Sequence, residues 1–152
     1  MVSFFNNAAR AIACTAMGFA LSTAPVLASP AVDLNSAVYV ERAQPGDVRV
    51  LEPASQLSRG DRIVTVVTWQ LKSGNGGFSV TNPLPRGIYY QGSASGDEEV
   101  SVDGGRTWGR LGQLRLSDRL ATPEDVTHVR WHVPATQAVA GRGNIAYSGI
   151  VR

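Results

Sequence analysis

Cysteine is almost missing from this 152-residue sequence, and the single one, Cys14, falls inside a stretch that reads as a leader. The remainder has no thiol, so a disulfide framework, a cysteine metal centre and a thiol nucleophile are all excluded there. Histidine is nearly as scarce, with His128 and His132 the only two. Lysine occurs once, at Lys72, and the formal net charge is only +2 with no basic cluster. A phosphate backbone is held by clustered cations, so nucleic acid is not an expected partner. Long apolar runs are absent too. The longest, Ala11 to Leu21, falls short of the roughly 20 residues a bilayer-spanning helix needs. No phosphate loop, Ser-His-Asp arrangement or histidine-rich motif is present. The reading therefore assigns no catalytic residue, no cofactor and no metal ligand, and expects a protein that is not an enzyme.

What is present begins with an address. Arg10 supplies a positive n-region, Ala11 to Leu21 an apolar segment, and Val26-Leu27-Ala28 a small-residue exit, the pattern of a secretory signal peptide. Cys14 follows Arg10 after only three apolar residues, too early for a lipoprotein cysteine. The expected organisation is a signal peptide over residues 1–28, cleaved after Ala28 or Ala31, a short linker over 29–36 and one domain over 37–152. Export across the inner membrane places it in the periplasm or outside the cell. Removing Arg10 leaves 13 of the 14 basic residues against 12 acidic ones, a balance near neutrality. A domain of this size without disulfides must be held by core packing, and it buries about two-thirds of its unfolded surface.

The domain reads as all-β. Gly60 and Asp61 form a turn that feeds the run Arg62 to Leu71, where Ile63, Thr65, Val67, Trp69 and Leu71 alternate with Val64, Val66, Thr68 and Gln70. Period two with β-branched residues on both sides marks a central strand buried around Trp69. Val129, Trp131 and Val133 alternate in the same way with His128, Arg130 and His132. Shorter runs at 37–41, 48–51, 78–81, 88–91, 99–102 and 144–151 are separated by Gly, Pro, Asn and Asp turns. Asn82-Pro83-Leu84-Pro85 marks a sheet edge, because proline gives no ladder donor. About eight short strands at this spacing predict a β-sandwich.

Several motifs call for weighing. On a strand, His128 and His132 are separated by about 13 Å at 3.3 Å per residue, too far to share a metal ion. Arg59-Gly60-Asp61 spells an adhesion tripeptide, yet a turn before a strand already accounts for Gly60 and Asp61. Asp97, Glu98, Glu99 and Asp103 supply the oxygen donors that calcium uses, without a calcium-specific spacing. Ser101-Val102-Asp103-Gly104-Gly105-Arg106-Thr107-Trp108 looks like an Asp-box hairpin, in which the Asp carboxylate accepts backbone N–H groups of its own turn. One copy does not make a propeller, so it reads as a stable turn.

Four stretches taken in order carry a family resemblance: Ser58 to Asp61, Asn82 to Ser93, Ser101 to Gly105, and Pro123 to Trp131. The chain from about Val48 to Arg152 resembles the conserved-repeat domain of bacterial surface proteins (domain of unknown function, number eleven), here as a single copy. The resemblance implies an immunoglobulin-like β-sandwich of about seven to eight strands, exported or displayed on the envelope. It brings no catalytic residue. The function expected is a non-catalytic module acting by protein contact with other envelope or surface proteins, in adhesion, scaffolding or assembly, with strand addition at a sheet edge. The alternative is a glycan- or small-ligand-binding module using Tyr89, Tyr90 and Trp108. A hydrolase has the least support.

Overall fold

The alternation of residues 62–71 becomes the middle of the larger sheet in the computed structural model, which describes residues 29–46 and 48–152. The expected signal peptide at 1–28 lies outside the described residues. Strand β3 (Arg62–Ser73) buries Ile63, Thr65, Val67 and Trp69 and turns Arg62, Thr68 and Gln70 to solvent. It runs antiparallel between β1 (Ala31–Gln44) and β10 (Arg142–Val151). The outer positions go to β2 (Val48–Pro53) beside β1 and β5 (Ile88–Ser93) beside β10, giving the order β2-β1-β3-β10-β5. A three-stranded sheet follows the order β4 (Phe78–Pro83), β9 (His128–Val133), β6 (Glu99–Ser101). All pairings are antiparallel.

Both sheets contribute to one core. Val67, Trp69, Tyr90 and Tyr147 come from the larger sheet, and Val80, Val100, Val129, Trp131 and Val133 from the smaller. Trp69 meets Phe78 edge-on at 5.2 Å between ring centroids, and Trp131 meets Tyr147 at 5.8 Å. Each of these pairs joins a residue of one sheet to a residue of the other. Asn82 adds a polar link, its Nδ2 donating to Tyr147 Oη at 2.8 Å. A smaller cluster, Val40, Ile63 and Ile88, closes the other end of the larger sheet.

Three expectations are corrected. Residues 31–36 are not linker: β1 starts at Ala31, and Val32 to Ser36 pair with Leu71 to Val67 of β3. Asp33, Asn35 and Ser36 are poor strand formers, and the long neighbour β3 overrides that local preference. Ten strands are present among the described residues instead of about eight. The additional pair is β7 (Arg115–Leu116) with β8 (Arg119–Leu120), a two-residue ribbon turned by Ser117 at φ +54°. The strand expected from Val126 starts at His128, because Val126 closes the 3-10 turn Pro123–Asp125 and its N–H goes to Pro123 O. The proline-marked edge is as expected, since β4 ends on Pro83 at the side of its sheet.

Candidate functional site

The three aromatic side chains that the alternative, ligand-binding reading names do not share a surface. Tyr90 points into the core and is 3% exposed; its hydroxyl donates to the Glu98 carboxylate, which also accepts from Ser93 Oγ. Burial, and then the Glu98 hydrogen bond, push the Tyr90 phenol far above its ordinary range. Tyr89 faces the opposite side of β5, with the Arg152 guanidinium 4.3 Å over its ring. Trp108 lies against the outer face of the small sheet. Its Nε1 donates to Gly105 O at 3.0 Å, and the Arg130 guanidinium stands 4.2 Å over the ring.

Trp108 is held there by the Ser101–Trp108 turn. Asp103 Oδ1 accepts from Ser101 Oγ, Arg106 N and Thr107 N at 2.8–3.0 Å, and Oδ2 accepts from Thr107 Oγ1 at 2.7 Å. Glycine at 104 and 105 meets positive φ values of +80° and +88°. The Thr107 N–H, its hydroxyl and Ser101 hold the Asp103 carboxyl well below the usual carboxylate range. Arg119 does the same to Asp125 through two hydrogen bonds at 2.6 and 2.7 Å.

A group with a depressed folded pKa contributes stability above its unfolded value of about 4 and loses it as pH falls from there. The urea midpoint is therefore expected to drop steadily below about pH 4. In Asp103→Asn, which lacks the ionisation, the drop should be shallower; equal slopes would disconnect this turn from acid stability.

The remaining polar motifs are separated in space. His128 and His132 lie on the outer face of β9 with Arg130 between them. His128 Nδ1 is 3.1 Å from Thr127 Oγ1, and His132 Nδ1 is 2.9 Å from Ser79 Oγ. The acidic cluster divides among different partners: Glu98 to Tyr90 and Ser93, Glu99 to Arg130, Asp103 to its own turn. Among the described residues no group of three or more acidic or histidine side chains is placed to hold a metal ion. Asp61 is occupied as well, accepting from Ser58 N at 2.8 Å and from Arg42 Nη1 at 2.9 Å.

Two features of the described residues bear on a partner. The first is a cleft of about 520 Å³ between the Trp69–Trp131 wall and the loop after β5, rimmed by Asp97, His132, Arg142 and Asn144. Trp131 is 4% exposed, and its Nε1 has no hydrogen-bond partner among the described residues. The alternation of both strands marked these tryptophans as core, and no spacing in the sequence placed 97 beside 142.

The second is the edge of β1. Its 14 residues pair with β3 from Ala31 to Val40, but β2 covers the other side only from Tyr39 to Gln44. Ala54 N donates to Val38 O at 2.9 Å and ends that cover. Because successive residues of a strand alternate their backbone groups between its two sides, Val32, Leu34 and Ser36 present N–H and C=O to the uncovered side. Sheet edges are normally blunted by proline, charge, bulges or brevity. Here β2 ends on Glu52-Pro53, β4 on Pro83, β6 has three residues, and β5 has Gly92 at φ +129° beside a register shift. Residues 32–37 carry one charge, Asp33, and neither proline nor bulge; the one register shift lies at the start of the arm, between Ala31 and Val32. Leu34 and Val38 on the core side of this arm are 50% and 37% exposed, beyond the reach of the smaller sheet.

No family model, curated protein or solved structure matches this chain. Among the described residues no helix is long and apolar enough to cross a membrane.

Proposed function

We propose that this chain is an exported, immunoglobulin-like β-sandwich of the surface-protein repeat type that works by protein contact in the envelope or outside the cell. It is a non-catalytic adhesion, scaffold or assembly module, and its contact is the addition of a partner strand to the open edge of β1. One observation carries this reading: among the described residues, 32–37 form a regular strand, following a register shift at Ala31/Val32, that is paired on one side only. Main-chain hydrogen bonds supply the affinity in such contacts, and alternate side chains supply the selectivity. The four stretches from Ser58 to Trp131 support the family, and the Arg10 to Ala28 pattern supports export.

The test is Ser36→Pro. Its lost N–H points to the open side, so the ladder with β3 keeps its bonds and only the edge is capped. Wild-type protein is expected to retain a strand-donating partner, either a second copy or a protein from envelope extracts. Ser36→Pro, with an unchanged unfolding midpoint, should lose it by about tenfold or more. A wild-type chain that stays a free monomer in size exclusion and captures nothing would overturn the proposal. Capture of a glycan in place of a protein, unaffected by Ser36→Pro, would move the function to the Trp69–Trp131 cleft.

A further inference from the structure

We infer that the strand received by the β1 edge is the same segment of a second copy, so that two molecules join their five-stranded sheets across a two-fold axis at Leu34. This rests on the edge reading above and names its occupant. An isologous contact requires a surface complementary to itself, and residues 31–37 meet that condition in one antiparallel register. With Leu34 opposite the partner's Leu34, Val32 falls opposite the partner's Ser36, Asp33 opposite the partner's Asn35, and Ala31 opposite the partner's Ala37.

The Leu34–Leu34 and Asp33–Asn35 rows of that ladder are chemically matched, and the Val32–Ser36 and Ala31–Ala37 rows hold no charge. The two leucines, half exposed in the single chain, cover one another on the core side. On the outer side the Asp33 carboxylate accepts from the amide of the partner's Asn35, and the symmetry gives that pair twice. No like charges oppose, although the arm holds an acidic residue. Asp33 also stays paired to Lys72, whose Nζ is 3.1 Å from Oδ2.

The backbone fixes the same register independently. Val32, Leu34 and Ser36 are the residues whose backbone groups face the open side, and in this alignment they meet only one another. Three close pairs exchanging two bonds each give about six hydrogen bonds. One step further out, Pro30 falls opposite the partner's Val38. Proline has no N–H to donate, and the Val38 carbonyl is already taken by Ala54 at 2.9 Å. Each end of the ladder thus loses one of the two bonds a further pair would exchange, leaving only the Val38 N–H and the Pro30 carbonyl to meet there. A shift by one residue would turn Leu34 to the opposite face from its counterpart, and a shift by two would strand a donor at each end.

So short a ladder buries less than a standard interface, and the association is of the weak, reversible kind. Sedimentation velocity of the full chain over a wide concentration range should show a monomer–dimer equilibrium. Asn35→Asp puts two carboxylates opposite each other twice over and should weaken it by about tenfold. Adding Asp33→Asn to Asn35→Asp restores the complementary pair in reverse and should recover the affinity. That recovery is the result a merely structural role would not produce. If Ser36→Pro misfolds, these two exposed substitutions still decide the matter.

A dimer insensitive to Asn35→Asp would overturn this register, and one insensitive to Ser36→Pro as well would place self-association away from the β1 edge. A monomer at all concentrations whose capture of an envelope protein is abolished by Ser36→Pro would remove self-association and leave the edge reading standing. A monomer that captures nothing would remove both.

Discussion

Trp69→Ala is expected to lower the unfolding free energy by about 3–5 kcal/mol, the usual range for truncating a large aromatic in a packed core. Trp69 is 2% exposed, and its indole is the bearing between the sheets: Phe78 of β4 meets it edge-on, and Gly143 of β10 lies flat against it. A domain of this size has roughly 5–15 kcal/mol in total, so the variant should be largely unfolded at moderate urea. Trp108 and Trp131 remain to report the transition by fluorescence.

The Gly143 contact permits a sharper version. A Cβ at that position would stand 2.5 Å from Trp69 Cζ2 and 2.6 Å from Cε2, a distance no relaxed structure tolerates. Gly143→Ala alone should therefore cost about 1–3 kcal/mol through overpacking. In a Trp69→Leu background the offending ring is gone, and the same substitution should be nearly silent. Such a cycle measures the coupling directly. Additive effects, or a Trp69→Ala loss under about 1 kcal/mol, would mean that Trp69 is not the bearing described.

Gly149→Val is the second large effect, about 3 kcal/mol or more of destabilisation by the same overpacking. A Cβ at Gly149 meets Ile88 Cγ2 at 2.4 Å and the carbonyl oxygen of Tyr89 at 3.0 Å. The first neighbour is a buried side chain of the smaller cluster and the second is backbone, so neither moves away freely. The position also adjoins the register shift between Ser148 and Gly149, where β10 passes β5. Any displacement there would loosen the only strand that joins β5 to the rest of its sheet. Gly87→Ala supplies the comparison, since nothing lies within 4 Å of the added carbon and no positive φ is required. Its urea midpoint should match the wild type within about 0.5 kcal/mol. Equal losses in the two variants would refute the packing account.

The sequence made the central strand legible because its partners agree with its own pattern. Val67 and Trp69 face inward in β3, and Val129, Trp131 and Val133 answer from β9 with the same period. Turn chemistry was legible where glycine or proline forced it, as at Gly60 and Gly104, or at Pro83 on the sheet edge. The arm of β1 was not, since Asp33, Asn35 and Ser36 read locally as loop. Only the length of β3, known once both strands are laid together, makes them strand. Nor could the cleft be found along the chain. It joins Asp97 to Arg142 and sets Trp69 beside Trp131, and the residues concerned are distant in sequence. Tyr89 and Tyr90 cannot line one site, because alternation sends neighbouring residues of one strand to opposite faces.

The position of β10 has a kinetic consequence. It is the last strand along the chain, yet it lies between β3 and β5, which are synthesised much earlier. Those two cannot join until residues 142–151 exist and slot between them, whereas β1 with β2 and β3, and β4 with β9, can pair before that strand is made. Such topologies collapse slowly and late. The larger sheet therefore stays divided, with β2-β1-β3 on one side and β5 on the other, until β10 emerges to bridge them.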